Sequence, residues 1–239
     1  MNTHDDGTSV PVTATHLARM MQFGDSMFPI GGFSFSGGLE SAIQKRVVTD
    51  VVSLGEFTRT AMEQAARGDG IAIVGAHRAA LAGDVEELLR IDARVHARKL
   101  SGETRAMSTK MGKKFTELGA HVTGAATMQE WRERVLTGAT PGCYPVALAI
   151  HFAALGLSAR DAFVVHQYGV VSTILGAALR LMRISHVDTQ LLLFQLNADV
   201  DTPYATAAAA SLDDMAGFAP LAEILAAVHV KAHVRLFMN

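Results

Sequence analysis

Apolar residues recur with helical spacing almost throughout this 239-residue chain, and glycine, proline and capping residues supply the punctuation. Residues 1–15 read as a flexible polar N-terminal tail, with His4, Asp5, Asp6 and Pro11 and no apolar run. The pattern predicts a short helix from His16 to Phe23, broken at Gly24-Asp25-Ser26. Pro29 to Gly38 follows, with four glycines and a proline in ten residues. A new helix opens near Gly38 and carries Leu39, Ile43 and Val47 on one face. Ser53-Leu54-Gly55-Glu56 matches a capping box, so another helix starts there and runs to about Arg67, where Gly68-Asp69-Gly70 punctuates the chain. Ile71 to Leu81 is an apolar helix stopped by Gly83. Asp84 caps the next, whose apolar side is Val85, Leu88, Leu89 and Val95. Glu103 to Leu118, ended by Gly119, and Met128 to Leu136 are predicted after it.

From Tyr144 the chain becomes much more apolar. Val146 to Leu155 is nearly all hydrophobic and reads as a central, buried helix. Ser158 caps a long helix over Phe163 to Met182, and Val187 to Asn197 makes a leucine-rich one. Thr202-Pro203 opens an alanine-rich helix to about Leu212, and Pro220 opens the last, through His233. Strand alternation never survives beyond four or five residues. The expectation is an all-α fold of about ten helices around one core, a single compact domain over residues 16–239.

Composition strengthens that reading. Alanine contributes 38 residues against 15 aromatics, and alanine costs least in a helix whereas strands favour β-branched and aromatic side chains. The formal net charge of −2 lacks the basic excess of a general nucleic-acid binder. Cys143, the single cysteine, excludes an internal disulfide and any multi-cysteine metal site, and reads as a small buried core thiol. No uninterrupted apolar run reaches the roughly 18 residues of a spanning helix, and the N-terminus has no signal-peptide core. The expectation is a soluble, cytoplasmic protein.

The candidate chemistry is sparse. In the glycine-rich loop, Gly32 and Gly37 fit the two glycines of a phosphate-binding P-loop, but Gly38 and Leu39 stand where its lysine and hydroxyl must be. Phe33 and Phe35 lie within this loop. Either they plug the core or they dock on a partner, where aromatics serve as anchors. His229 and His233 share a helical face, as two metal ligands would, yet the zinc-protease glutamate is missing at Val230. Arg90, Arg94 and Arg98 line one helical face, either solvated or open to an anion or partner. No catalytic constellation stands out, so the residues read as a helical interaction protein and not an enzyme, with no cofactor.

Three segments sharpen this. Phe23-Gly24-Asp25-Ser26-Met27-Phe28-Pro29-Ile30-Gly31-Gly32-Phe33-Ser34-Phe35-Ser36-Gly37-Gly38-Leu39-Glu40 resembles the N-terminal signature of the urease accessory protein UreF family. Ser101-Gly102-Glu103-Thr104-Arg105 with Gly112 is similar to that family's central segment. Arg180-Leu181 with Gln190, and His229 through Arg235-Leu236-Phe237, are similar to its C-terminal pattern. The resemblance implies an all-α, homodimeric, non-catalytic protein that bridges UreD (also called UreH) and the GTPase UreG and regulates GTP-dependent nickel insertion into apo-urease. It implies partner binding by Phe33, Phe35, Glu40, Arg180, Arg235, Leu236 and Phe237. A nickel carrier using His229 and His233 is the alternative. Val230, Met238-Asn239 and Phe35 depart from the family pattern.

Overall fold

The most apolar stretch of the chain is also its structural centre. In the computed structural model, which describes residues 13–25, 27–217 and 236–237, Tyr144–Ala154 is a helix (α8) whose residues from Pro145 to Ala153 are all buried. Around it stand α1 (Ala14–Gly24), α2 (Leu39–Gln44), α3 (Val51–Ala65), α4 (Ile71–Ala82), α5 (Val85–Arg98), α6 (Gly102–Thr123), α7 (Ala126–Leu136), α9 (Ala159–Leu181), α10 (His186–Leu196) and α11 (Asp201–Ala209). No strand occurs among the described residues. A π-turn, Ala66–Gly70, joins α3 to α4 without a break, so the eleven α-helices make ten continuous rods. The fold is all-helical, as the periodicity predicts.

The buried side chains form two clusters. One gathers α4, α6, α7 and α8 around Ile73, Phe115, Trp131, Leu148 and Phe152. The other holds Leu39, Leu54, Val171, Ile174 and Leu175. Helix α9 belongs to both: Phe163 and Val165 lie in the first, and Val171 to Ala178 in the second. Among the described residues α9 is the one helix long and apolar enough to cross a membrane, and 56% of that stretch is buried inside the fold.

Close approach of α6 to α8 depends on glycine. A Cβ on Gly112 would lie 2.1 Å from the Gly142 carbonyl oxygen, and one on Gly119 would lie 2.9 Å from His151 Nδ1. The loop before α8 is pinned by the buried Asp92 carboxylate of α5. It accepts hydrogen bonds from Thr140 Oγ1 (2.6 Å) and from the backbone amides of Gly142 (2.7 Å) and Cys143 (2.8 Å). Two backbone amides just ahead of α8 and one buried side-chain hydroxyl are thereby satisfied. Cys143 is buried, as predicted, and burial with the neighbouring Asp92 pushes its thiol up, so it stays protonated.

His151 sits fully buried in α8 with both ring nitrogens unpaired among the described residues, edge-on to Phe23 (4.2 Å) and Phe115 (5.3 Å). Burial lowers its pKa to about 4, against an ordinary 6.5. The unfolded chain therefore binds a proton at pH values where the folded one does not. Stability is full above about pH 6.5 and falls as pH drops toward 4, by about 2 kcal/mol between pH 7 and pH 5. Urea midpoints measured across that range should show this slope, and His151→Leu should flatten it. An unchanged slope in the variant would assign the acid sensitivity elsewhere.

Several expectations are corrected. Helix α3 starts at Val51, capped by Asp50 with Ser53 as the returning N3 residue, so the box lies three residues before the predicted one. Gly68-Asp69-Gly70 does not end a helix. Gly70 is needed because a Cβ there would meet Phe163 at 2.5 Å, and the π-turn carries the chain past that ring. Helix α6 continues through Gly119 to Thr123 and stops at Gly124, which takes φ +65°. Helix α11 begins at Asp201 and ends at Ala209, so Pro203 is its third residue and Leu212–Asp214 is a separate 3-10 turn. The arginine stripe is not simply a solvated face: Arg90 pairs with Glu87 along α5, Arg94 with Asp213 at 2.9 Å, and Arg98 donates to the Met215 carbonyl. Through Arg94 and Arg98 it fastens the segment after α11 onto α5.

Candidate functional site

The glycine-rich loop explains itself locally. Gly31, Gly37 and Gly38 take φ of +83°, +62° and +84°, a left-handed conformation that other residues adopt only with strain. Between them a single 3-10 turn, Gly32–Ser34, closes through Ser34 N–H to Gly31 O and Phe35 N–H to Gly32 O, both 3.1 Å. This turn separates the two phenylalanines. Phe35 points inward and is 4% exposed, whereas Phe33 stands outward at 70%. Of the two readings open for the pair, Phe35 is a core plug and Phe33 is free to meet a partner.

Gly38 then caps α2, and Glu40 falls in its first turn, buried at 4% exposure. Its carboxylate reaches the far end of the chain: Oε1 accepts from the Leu236 amide (2.8 Å) and Oε2 from the Phe237 amide (3.1 Å). Two consecutive backbone donors on one carboxylate make a charge-assisted fork, stronger and more directional than neutral pairs. The fork seats the Phe237 ring in the second core cluster, beside Leu39 and Ile174, and leaves Leu236 exposed.

Arg180, in the last turn of α9, closes the junction. Its guanidinium lies 4.2 Å from the centroid of the Phe237 ring, Nη2 donates to the Phe33 carbonyl (3.0 Å), and Nε donates to the Gly176 carbonyl (3.3 Å). One planar cation thus touches the loop, the long helix and the tail at once, a task suited to arginine's fixed fork of donors and its flat face. Of the residues singled out in the sequence, the structure gathers Phe33, Glu40, Arg180, Leu236 and Phe237 into this junction. Phe35 lies beneath it. Arg235, His229, His233 and the helix predicted from Pro220 fall outside the described residues. No group of three or more His, Cys, Asp or Glu side chains that could hold a metal occurs among the described residues.

A second constellation was not legible in the sequence. The π-turn directs Asp69 inward, where Lys99 Nζ meets both its oxygens (2.8 and 2.7 Å) and His166 Nε2 lies 3.5 Å away. Burial alone would raise the Asp69 carboxyl, but Lys99, followed by His166, outweighs it and holds the group well below the usual carboxylate range. Tyr144 stacks on His166 at 5.9 Å, and burial pushes its phenol up. Only the glycines around Asp69 mark this place, and they read as a helix end.

Fold and junction together define a class: an all-helical protein whose loop, long helix and C-terminal tail meet at one arginine, presenting an aromatic side chain to solvent. The UreF family model matches residues 48–197. The chain is 55% identical over 223 residues to urease accessory protein UreF 2 of Brucella canis, covering 93% of this chain and 92% of that protein. It is 54% identical over 223 residues to urease accessory protein UreF 1 of Brucella melitensis, and 49% identical over 228 residues to urease accessory protein UreF of Yersinia enterocolitica, covering 95% and 100%. The chain belongs to the UreF family of urease accessory proteins.

Proposed function

We propose that this chain is a non-enzymatic, cytoplasmic scaffold, working as a homodimer, that bridges UreD (UreH) and the GTPase UreG and regulates GTP-dependent nickel insertion into apo-urease. The observation that carries the reading is the Phe33–Arg180–Phe237 junction. An exposed aromatic is held in place by backbone and cation contacts, and no stability is gained from leaving its ring in water. Arg180 and Leu236 extend the same exposed rim, next to the buried anchors Glu40 and Phe237. Arg235, adjacent in sequence to Leu236, is included for its match to the family's C-terminal pattern alone.

The test is co-purification from cells expressing the full accessory set. Phe33→Ala should leave the melting temperature unchanged, because the ring is exposed, and weaken partner capture about 30-fold, as loss of an anchoring aromatic does. Deletion of Arg235–Asn239 should abolish capture of UreD. Wild-type recovery of both partners by both variants would sink the bridging role.

A further inference from the structure

A cavity of about 460 Å³ opens between the π-turn, α6 and α9. That volume is in the range of pockets that enclose small organic molecules, which are mostly apolar with a few placed polar groups. Its walls fit the description: Phe28, Met107, Met111 and Val165 supply hydrocarbon and thioether surface. Gly169 of α9 forms part of the floor, and a Cβ built there meets nothing within 4 Å, so the space beside it is open.

The charges lining the cavity do not cancel. Lys99 is committed to Asp69. Asp25 already accepts from the Met27 amide at 2.7 Å. Arg98 donates to the Met215 carbonyl, and Arg180 donates to two carbonyls and stacks on Phe237, so among the described residues neither guanidinium has a carboxylate partner. Of the two, Arg98 keeps more of its donors uncommitted. Tyr144 also lines the cavity, and its hydroxyl has no hydrogen-bond partner among the described residues. Burial holds that phenol protonated, so it remains a donor. An apolar chamber with a surplus guanidinium and an idle hydroxyl donor is complementary to an anion that carries a hydrocarbon body.

We propose that this cavity is a binding site for a small amphipathic carboxylate, with its hydrocarbon part along Met107, Met111 and Gly169 and its carboxylate held by Arg98 and Tyr144. The cavity runs up to the loop–tail junction, whose Phe33 and Arg180 also line it, but the proposed carboxylate contacts at Arg98 and Tyr144 use none of the junction's bonds and are tested without a partner protein.

The experiment is calorimetric titration of the purified full chain with sodium octanoate, 1-octanol and octylamine, each below its aggregation concentration. Octanoate should bind saturably. Octanol, with the same body and no charge, should bind about tenfold more weakly, the worth of one charge-assisted contact. Octylamine should bind no better than octanol. Tyr144→Phe should weaken octanoate about fivefold, and Arg98→Gln should reduce it to the level of octanol. Because Arg98 also fastens Met215, a second variant is decisive. Gly169→Leu projects into open space, should keep the helical circular dichroism signal, and should abolish octanoate binding. Equal binding of octanoate and octanol, wild-type binding by Gly169→Leu, or no saturable binding at all would each overturn the assignment and leave a water-filled space.

Discussion

Gly112→Ala should cost about 4 kcal/mol or more, a large share of what holds a domain of this size together. The added methyl has nowhere to go. It would sit 2.1 Å from the Gly142 carbonyl oxygen, 2.5 Å from the Tyr144 nitrogen and 2.6 Å from the Cys143 carbonyl carbon. All three are backbone atoms, so no rotamer change relieves the overlap. Nor can the segment retreat, because Asp92 holds Gly142 and Cys143 by their amides and Thr140 by its hydroxyl. Helix α6 would have to lift from α8, uncovering Phe115 and the buried His151 together. Gly102→Ala is the control, since a Cβ at the first residue of α6 meets nothing within 4 Å. The expected result is a urea midpoint near wild type for Gly102→Ala and a collapse in soluble, cooperatively folding protein for Gly112→Ala. Matching midpoints would mean that the helices re-space freely.

Legibility from sequence follows the range over which each signal acts. Helix α8 was readable because a run from Val146 to Leu155 with almost no polar residue has only one stable place, the centre. Helices α5 and α10 announced themselves through Asp84 and the Val187–Asn197 pattern, which are local. Gly68-Asp69-Gly70 and Gly119 misled for one reason: glycine ends helices, and it also permits close packing inside them. Local spacing cannot distinguish these uses. The difference lies in Phe163 and His151, which are far away in sequence and near in space. The same holds for the arginine stripe, whose periodicity was plain while its partners, Asp213 and the Met215 carbonyl, lay more than a hundred residues on.

At the junction, the loop motif and the tail carried the family resemblance separately, but nothing local says that Glu40 binds the Leu236 and Phe237 amides. A buried glutamate in a six-residue helix reads as a surface charge until its distant donors are seen. That distance in sequence also makes Glu40 the most informative residue to change.

Glu40→Ala is expected to release the tail outright. The two amides would lose the one charged acceptor they have among the described residues, a loss of about 3 kcal/mol for the pair of bonds. That cost need not be borne by the whole fold, because Leu236 and Phe237 can move out and hydrate their amides in water. Global stability should therefore fall by less than the bond count suggests, while local protection disappears. Release also withdraws the ring from beneath Arg180, leaving the guanidinium, among the described residues, its bonds to Phe33 and Gly176 and loosening the loop. Hydrogen exchange should show this as full exchange in the tail peptide, with faster exchange around Phe33, and UreD capture should be lost. Glu40→Gln discriminates further. An amide offers one carbonyl acceptor where the carboxylate offers two, so one of the two bonds can persist without charge assistance. Protection of the tail should rank wild type, then Glu40→Gln, then Glu40→Ala. Wild-type exchange in the tail of Glu40→Ala would show that Phe237 packing alone seats it.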